Sequence, residues 1–178
     1  MSILNLTDGT WAIDASHSEV GFQVRHLMVS KVRGSFATFS GAITVAGDTA
    51  SVTVEIDPAS INTRDENRDQ HVRSGDFFDV ENHPKWSFVS TSVKANGNDI
   101  TVAGDLTMRG ITKPVVLEGE FLGTNTDPWG NTKAAFEAST TVNRKDFGIE
   151  WNAPLDTGGV LVGEDVKISL EIQAALQK

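Results

Sequence analysis

The strongest pattern in the chain is a two-residue alternation of apolar and polar side chains. It is clearest over residues 18–28, 50–57, 99–108 and 166–174. Because alternate side chains of a strand point to opposite faces of the sheet, each segment is predicted to be a strand with one buried face. The predicted inward sets are Val20, Phe22, Val24, His26 and Met28; Val52, Val54 and Ile56; Ile100, Val102, Leu106 and Met108; and Val166, Ile168, Leu170, Ile172 and Ala174.

Weaker alternation predicts four more strands, at 34–46, 85–94, 114–122 and 133–143. Turn sequences typical of hairpins lie between several of these strands, at 46–48, 96–98 and 109–110. About eight strands with short turns indicate either an antiparallel barrel or a sandwich. Strands of about ten residues are long for a sandwich, and closure removes exposed edges, so the barrel is favoured.

Two segments depart from the alternation. Residues 64–74 are strongly charged, which predicts a short surface helix that ends near Gly75. Residues 144–163 contain glycine and proline and form a predicted long loop, a feature that in small domains is usually functional or mobile. The expected fold is therefore an all-β antiparallel barrel of about eight strands with one short helix.

Composition narrows the classes of function. A chain of 178 residues is expected to form one domain over 1–178. Its net charge of -9 argues against nucleic acid as a partner and against attraction to anionic membranes. Without cysteine it has no disulfide, thiolate nucleophile or cysteine metal ligand.

The chain is also expected not to span a membrane, because no window approaches the roughly 18 apolar residues that a spanning helix needs. The N-terminal residues do not resemble a secretory signal, which predicts a cytoplasmic protein. A periplasmic or secreted protein from which the signal had been removed would look the same.

The inward faces leave one question open. An eight-stranded barrel is just wide enough either to pack solid or to hold one small ligand. Periodicity fits both interiors equally well.

Five motifs in collinear order resemble the YceI-like family of polyisoprenoid-binding or lipid-binding proteins. They lie at 11–40, 68–88 (RDQHVRSGDFFDVENHPKWSF), 106–118 (LTMRGITKPVVLE), 140–149 (TTVNRKDFGI) and 162–174 (VGEDVKISLEIQA). The resemblance implies a lipocalin-like barrel with an elongated apolar cavity for a polyisoprenoid, a quinone-type lipid or a fatty amide or acid. It also implies a homodimer and no cofactor other than bound lipid.

With that implied cavity, twelve residues are candidates for lining it. They are Phe22, Val24, His26, Met28, Phe36, Phe78, Trp86, Phe88, Leu106, Phe136, Trp151 and Ile168. His26 is interpreted either as a ligand for a lipid head group or as a structural histidine bonded to a carbonyl. Trp151 lies on the long loop, where it is a candidate for gating entry. Arg64, Arg68 and His71 share one face of the predicted helix, which suits either an anionic head group or plain solvation.

Catalytic and metal-binding patterns are not found in the sequence. It has no G-x-S-x-G, Walker or H-E-x-x-H motif, and its four histidines are widely spaced. We therefore expect a non-enzyme without catalytic or metal-binding residues. Two alternatives stay open: an enzyme that acts on an isoprenoid inside the barrel, with His26 as its ionisable group, and a solid-core, stress-related interaction protein.

Overall fold

The computed structural model describes residues 3–27, 29–153 and 161–178. One antiparallel sheet contains β1 (Gly9–Ile13), β2 (Glu19–His26), β3 (Ser30–Phe36), β4 (Phe39–Ala46), β5 (Thr49–Ile56), β6 (Ile61–Asn62), β7 (Trp86–Asn96), β8 (Asp99–Met108), β9 (Ile111–Thr126), β10 (Thr132–Asn143) and β11 (Val162–Leu176). The helix α1 (Glu66–Arg73) lies between β6 and β7. Short 3-10 turns occur at Ile3–Asn5, Ala15–His17, Pro58–Ser60 and Arg144–Phe147.

The sheet closes into a barrel of eight strands. Its order is β1-β4-β5-β7-β8-β9-β10-β11, and β11 pairs again with β1. The segments β1 and β2 form one long strand interrupted at 14–18, since β11 pairs with β2 through 162–171 and with β1 through 174–176. Likewise β3 and β4 are separated only by 37–38. The predicted closed barrel of about eight strands is thus confirmed.

The observed burial follows the predicted alternation. Along β8 the even-numbered residues from Ile100 to Met108 are all buried, and the odd-numbered ones are more exposed. The residues of β5 alternate between half-buried and exposed in the same register. Each strand therefore turns its apolar face inward, as the two-residue period requires.

Three predicted hairpin turns are present as two-residue turns. Gly47 and Gly97 each have φ of +62° at the first central position, the conformation of a type II′ turn. The third turn places both Arg109 (φ +51°) and Gly110 (φ +74°) in the left-handed region, as a type I′ turn requires. These turns set the register of the β4–β5, β7–β8 and β8–β9 pairs.

The helix α1 is held over one end of the barrel by its own acidic residues. Asp65 caps its first turn by accepting from the Arg68 amide at 3.1 Å. Asp69 is 4% exposed and accepts from the Thr63 amide (2.9 Å) and the Thr63 hydroxyl. The segment is therefore only partly the solvated surface helix that its charge predicts, because one carboxylate is buried to fix its position. Arg64 precedes the helix and is exposed, so its predicted place on the helix face is wrong.

Two short strands could not be predicted from the alternation of apolar and polar residues. The strand β1 has only five residues and β6 only two, too few to show a period. Nevertheless β1 contains Trp11, which is 1% exposed and donates its indole N–H to the Thr7 carbonyl at 3.0 Å. Closure of the barrel between β4 and β11 depends on this strand.

The corner between β1 and β2 is stabilised by an ionised carboxylate. Asp14 accepts from the Ser16 hydroxyl (2.6 Å) and amide (3.1 Å), and lies 2.7 Å from His17 Nδ1 and 3.3 Å from Lys133 Nζ. The Ser16 hydroxyl, and next the His17 ring, hold the pKa of Asp14 well below its ordinary value. Ionised Asp14 therefore stabilises the folded chain.

We expect Asp14→Asn to lower the free energy of unfolding at pH 7 by about 1 kcal/mol. A lowered folded-state pKa contributes stability above the unfolded value of about 4, and this contribution is lost as the pH falls further. The difference between wild type and variant should accordingly shrink from pH 4 to pH 2 in urea titrations. Asp105→Asn, on an exposed residue of β8, is the control. A difference that stayed constant from pH 7 to pH 2 would contradict the assignment.

Candidate functional site: an apolar cavity with a polar mouth

The barrel encloses a cavity of about 570 Å³. Its lining extends from the N-terminal turn (3–6) to α1 and includes inward side chains from every long strand. The volume lies within the roughly 300–1,000 Å³ of small-molecule sites. Of the two interiors that the sequence left open, the structure therefore has the hollow one.

One end of the cavity is wholly apolar. Leu6 and Ile100 line it, next to a buried cluster that includes Trp11, Phe121 and Ala174. The rings of Phe121 and Phe136 lie with their centroids 5.3 Å apart. A ligand that entered this end would meet hydrocarbon surface.

A band of aromatic rings lies nearer the other end. The ring of Phe36 lies 5.8 Å from that of Phe22, 6.2 Å from that of Phe78 and 5.2 Å from that of Trp86. The rings of Phe78 and Trp86 are 4.5 Å apart and edge-on. The indole N–H of Trp86 is buried without an acceptor among the described residues. These rings give the cavity a rigid apolar wall.

Two glycines let aromatic rings lie close to the sheet. A Cβ at Gly34 would stand 2.5 Å from Phe22 Cζ, and one at Gly104 would stand 2.5 Å from Phe88 Cζ. Contacts that short are impossible, so a larger residue at either position would displace the ring. Glycine at both places keeps Phe22 and Phe88 against the wall. Periodicity gives no sign of this, because glycine has no side chain to count.

The charged lining residues gather at the α1 end of the cavity, and we call this polar end the mouth. They are Arg25, His26, Asp65, Arg68, His71 and Arg144. His26 is half-buried, and among the described residues its ring has no hydrogen-bond partner. The hairpin beside it exposes Leu27 (44%) and Val29 (87%).

Arg144 connects the two ends of the long loop, at residues 149–151 and 162–163. It is 3% exposed and donates to four backbone carbonyls: Nε to Gly163 (2.7 Å), Nη1 to Ile149 (2.8 Å) and Trp151 (3.0 Å), and Nη2 to Val162 (3.3 Å). Burial lowers the pKa of the guanidinium from its ordinary value, and Glu164 partly opposes this effect. The sequence pattern gave Arg144 no role, since in RKD it resembles surface charge.

Asn152 completes the junction. Its side-chain amide donates to the Val162 carbonyl (2.7 Å), and its carbonyl oxygen accepts from the Val162 amide (3.0 Å). Residues 149–153 and 161–163 are therefore locked side by side. What lies between them, 154–160, is outside the described residues.

Trp151 packs against α1 rather than standing alone on the loop. The centroid of its ring lies 4.8 Å from that of the His71 ring and 5.2 Å from that of the Phe77 ring. The Nε2 atom of His71 lies 2.9 Å from a carboxylate oxygen of Asp76. Arg109 adds a second link, donating to the carbonyls of Gly148 (2.6 Å) and Gly75 (2.8 Å). The loop and the helix thus form one connected rim around the mouth.

Eleven of the twelve candidate residues lie in the cavity lining: Phe22, Val24, His26, Phe36, Phe78, Trp86, Phe88, Leu106, Phe136, Trp151 and Ile168. The twelfth, Met28, is outside the described residues. Sequence reasoning missed Arg144 and the contribution of residues 3–6. The sequence left Arg68 as either a ligand for an anionic head group or a solvated side chain. The structure places that side chain in the cavity lining.

Within the described ranges, histidine and carboxylate side chains form no group of three suited to a metal ion. No helix in those ranges combines the length and apolar character that crossing a bilayer demands.

Comparison with known proteins agrees with this architecture. A UPF0312 protein of Staphylococcus aureus is 40% identical over 174 residues, covering 94% of this chain and 98% of that protein. BcnA of Burkholderia cenocepacia superposes with a TM-score of 0.78 at 23% identity, over 90% of this chain and 98% of BcnA. A polyisoprenoid binding domain from Saccharophagus degradans gives a TM-score of 0.71 at 17% identity, over 94% and 98%. Residues 11–174 match the model of the YceI-like domain. The chain belongs to the YceI-like family.

Proposed function

We propose that this protein binds the apolar tail of a lipid inside the barrel and carries or stores that lipid. The observation that carries the proposal is one cavity of about 570 Å³ whose walls, away from the mouth, are almost entirely apolar. Each Å² of apolar surface that leaves water on binding contributes roughly 25 cal/mol, so a long tail is strongly favoured. A polyisoprenoid, a quinone-type lipid or a fatty amide or acid fits this description.

The related proteins support the same class of ligand. The superposed domain from Saccharophagus degradans is a polyisoprenoid binding domain, and the chain shares its fold. We further propose binding rather than catalysis. The histidines in the lining, His26 and His71, both lie at the mouth, away from the apolar interior that would hold the tail.

Lipid extraction tests the proposal directly. We expect mass spectrometry of a solvent extract of the purified protein to find a long-chain lipid at about one molecule per chain. Protein freed of lipid should then bind added prenyl lipids, measured through the fluorescence of tryptophans in the lining. A chain that yields no lipid and binds none of the added lipids would contradict the proposal.

The homodimer and the cytoplasmic location remain predictions from the sequence. Light scattering of the purified protein measures the first. Fractionation of cells that express the full-length gene measures the second.

A further inference from the structure

The hairpin between β2 and β3 presents apolar side chains to solvent beside the mouth. Leu27 is 44% exposed and Val29 is 87% exposed, whereas the adjacent His26 lines the cavity. The Leu27 amide donates to the carbonyl of Leu161 at 2.9 Å, and Leu161 is another lining residue. The hairpin is therefore fixed to the cavity wall while its apolar side chains remain accessible from outside.

Leu27 also has a backbone conformation that is unfavourable for leucine. Its φ is +55°, in the left-handed region where glycine and asparagine are usual and a bulky residue is rare. Strain of this kind is found mainly at binding and active sites. Because the side chain is also partly exposed, packing inside the barrel does not account for it. A contact with a partner outside the chain accounts for both features.

Cationic side chains cover the outer face of the same hairpin. Arg25 of β2 lies directly opposite Lys31 of β3, and Arg33 lies two residues further along β3. All three residues are exposed, and among the described residues none of them has a carboxylate within ion-pair distance. Like charges directly opposite each other destabilise a sheet, so the stability of the fold does not explain this arrangement.

The nearby part of β11 adds one cation and two carboxylates. Lys167 is exposed and lies beside β2, opposite Gln23. Glu164 and Asp165 are exposed near the start of β11, and an oxygen of Glu164 lies 2.9 Å from Lys145 Nζ. Cations therefore still outnumber carboxylates on this part of the surface when β11 is included.

The start of α1, on the β6 side of β3, does not remove this excess. Its exposed carboxylates, Asp65 and Glu66, are matched in number by Arg64 and Arg68, and Asp69 is buried. The chain as a whole has a net charge of -9, but charges interact strongly only within the Debye length, about 8 Å in physiological salt. A surface that touches the hairpin therefore meets a local excess of positive charge.

We propose that the β2–β3 hairpin docks on a bilayer that contains anionic lipids, with the side chains of Leu27 and Val29 among the head groups. The cations on its outer face then lie against the lipid phosphates. Apolar side chains leave water at such an interface, and each Lys or Arg near an anionic surface adds attraction. Docking places the mouth of the cavity next to the membrane. This proposal goes beyond lipid binding inside the barrel, because it concerns the outer surface and can be measured whatever the cavity holds.

Flotation with vesicles tests the proposal. We expect the protein to bind vesicles of phosphatidylcholine with about 30% phosphatidylserine about tenfold more strongly than vesicles of phosphatidylcholine alone. Lys31→Gln should weaken binding to the anionic vesicles about fivefold, whereas Lys94→Gln, an exposed cation near the far end of β7, should leave it unchanged. Equal binding to the two kinds of vesicle, or no binding to either, would overturn the proposal.

Two variants separate docking from folding. Leu27→Asn removes the apolar side chain and places a residue that tolerates the left-handed region, so the free energy of unfolding should not fall. Combined with Val29→Ser, it should weaken binding to the anionic vesicles at least about tenfold. Binding that this double variant retains, or a Leu27→Asn variant that is less stable than wild type, would show that the hairpin serves the fold instead.

Trp129→Ser is the matched control for the apolar side chains. Trp129 is 80% exposed in the turn between β9 and β10, at the end of the barrel opposite α1. Its loss should leave vesicle binding unchanged. Vesicle binding that depended on Trp129 and not on the hairpin would place the membrane at the wrong end and contradict the proposal. Failure to extract or bind a lipid would overturn the proposed function alone, since docking is scored on the vesicles.

Discussion

Replacing Arg144 by methionine is expected to lower the free energy of unfolding by about 3–4 kcal/mol. Methionine fills much of the space of the arginine stem but donates no hydrogen bond, so four carbonyls lose a donor, and of these the Val162 carbonyl keeps another from the Asn152 side chain. An unsatisfied buried acceptor costs about 1–3 kcal/mol, and access of water near the mouth keeps the total below the sum. Urea unfolding followed by circular dichroism measures the change.

Lys145→Met provides the comparison one residue along the chain. Lys145 is exposed, and its Nζ lies 2.9 Å from Glu164, a surface ion pair expected to contribute less than about 1 kcal/mol. Arg144→Lys should fall between the two, because one ammonium cannot reach four carbonyls in fixed directions. An Arg144→Met variant within 1 kcal/mol of wild type would show that the junction does not depend on the guanidinium.

Ala138→Trp is expected to weaken the binding of a prenyl lipid at least about a hundredfold, or about 2.7 kcal/mol. Ala138 lies on the inner face of β10, opposite Leu170 of β11, and lines the cavity. An indole at this position would occupy the space proposed for the tail. It would enter an existing void, so the cost in stability should stay within the roughly 1–3 kcal/mol of an overpacked core.

The control for this variant is Thr141→Trp. Thr141 lies on the same strand but is exposed on the outer face. The Thr141→Trp variant should bind farnesol with wild-type affinity in the same fluorescence titration, once the signal is corrected for the added tryptophan. If Ala138→Trp also bound farnesol normally while remaining folded, the tail would have to lie elsewhere.

Much of the cavity wall could be predicted from the sequence, because the face on which a strand residue lies depends only on local backbone geometry. Side chains such as Phe22, Val24 and Ile168 follow a two-residue period, and backbone geometry alone sends them to one face. The hairpin turns are equally local, since Gly47 and Gly97 supply the positive φ that their turns require. Nine of the candidate residues lie on strands and line the cavity, whereas Phe78 and Trp151 lie outside the strands and the alternation did not place them.

Other features depend on distant partners. Arg144 gains its role from carbonyls up to nineteen residues away, and Trp151 from His71 and Phe77 across the mouth. The short strand β1 exists because β4 and β11 flank it. The alternation of residues along one strand carries no information about contacts between residues that are far apart in the chain.

By itself the sequence determined the antiparallel barrel, its inward apolar faces and, through five motifs, the resemblance to a lipid-binding family. Only the tertiary structure decided that the barrel is hollow and that its charged residues meet at one end. The physical reason is that alternation specifies the face on which each side chain lies. Whether opposing faces touch depends on strand tilt, closure and the rings that Gly34 and Gly104 hold against the wall.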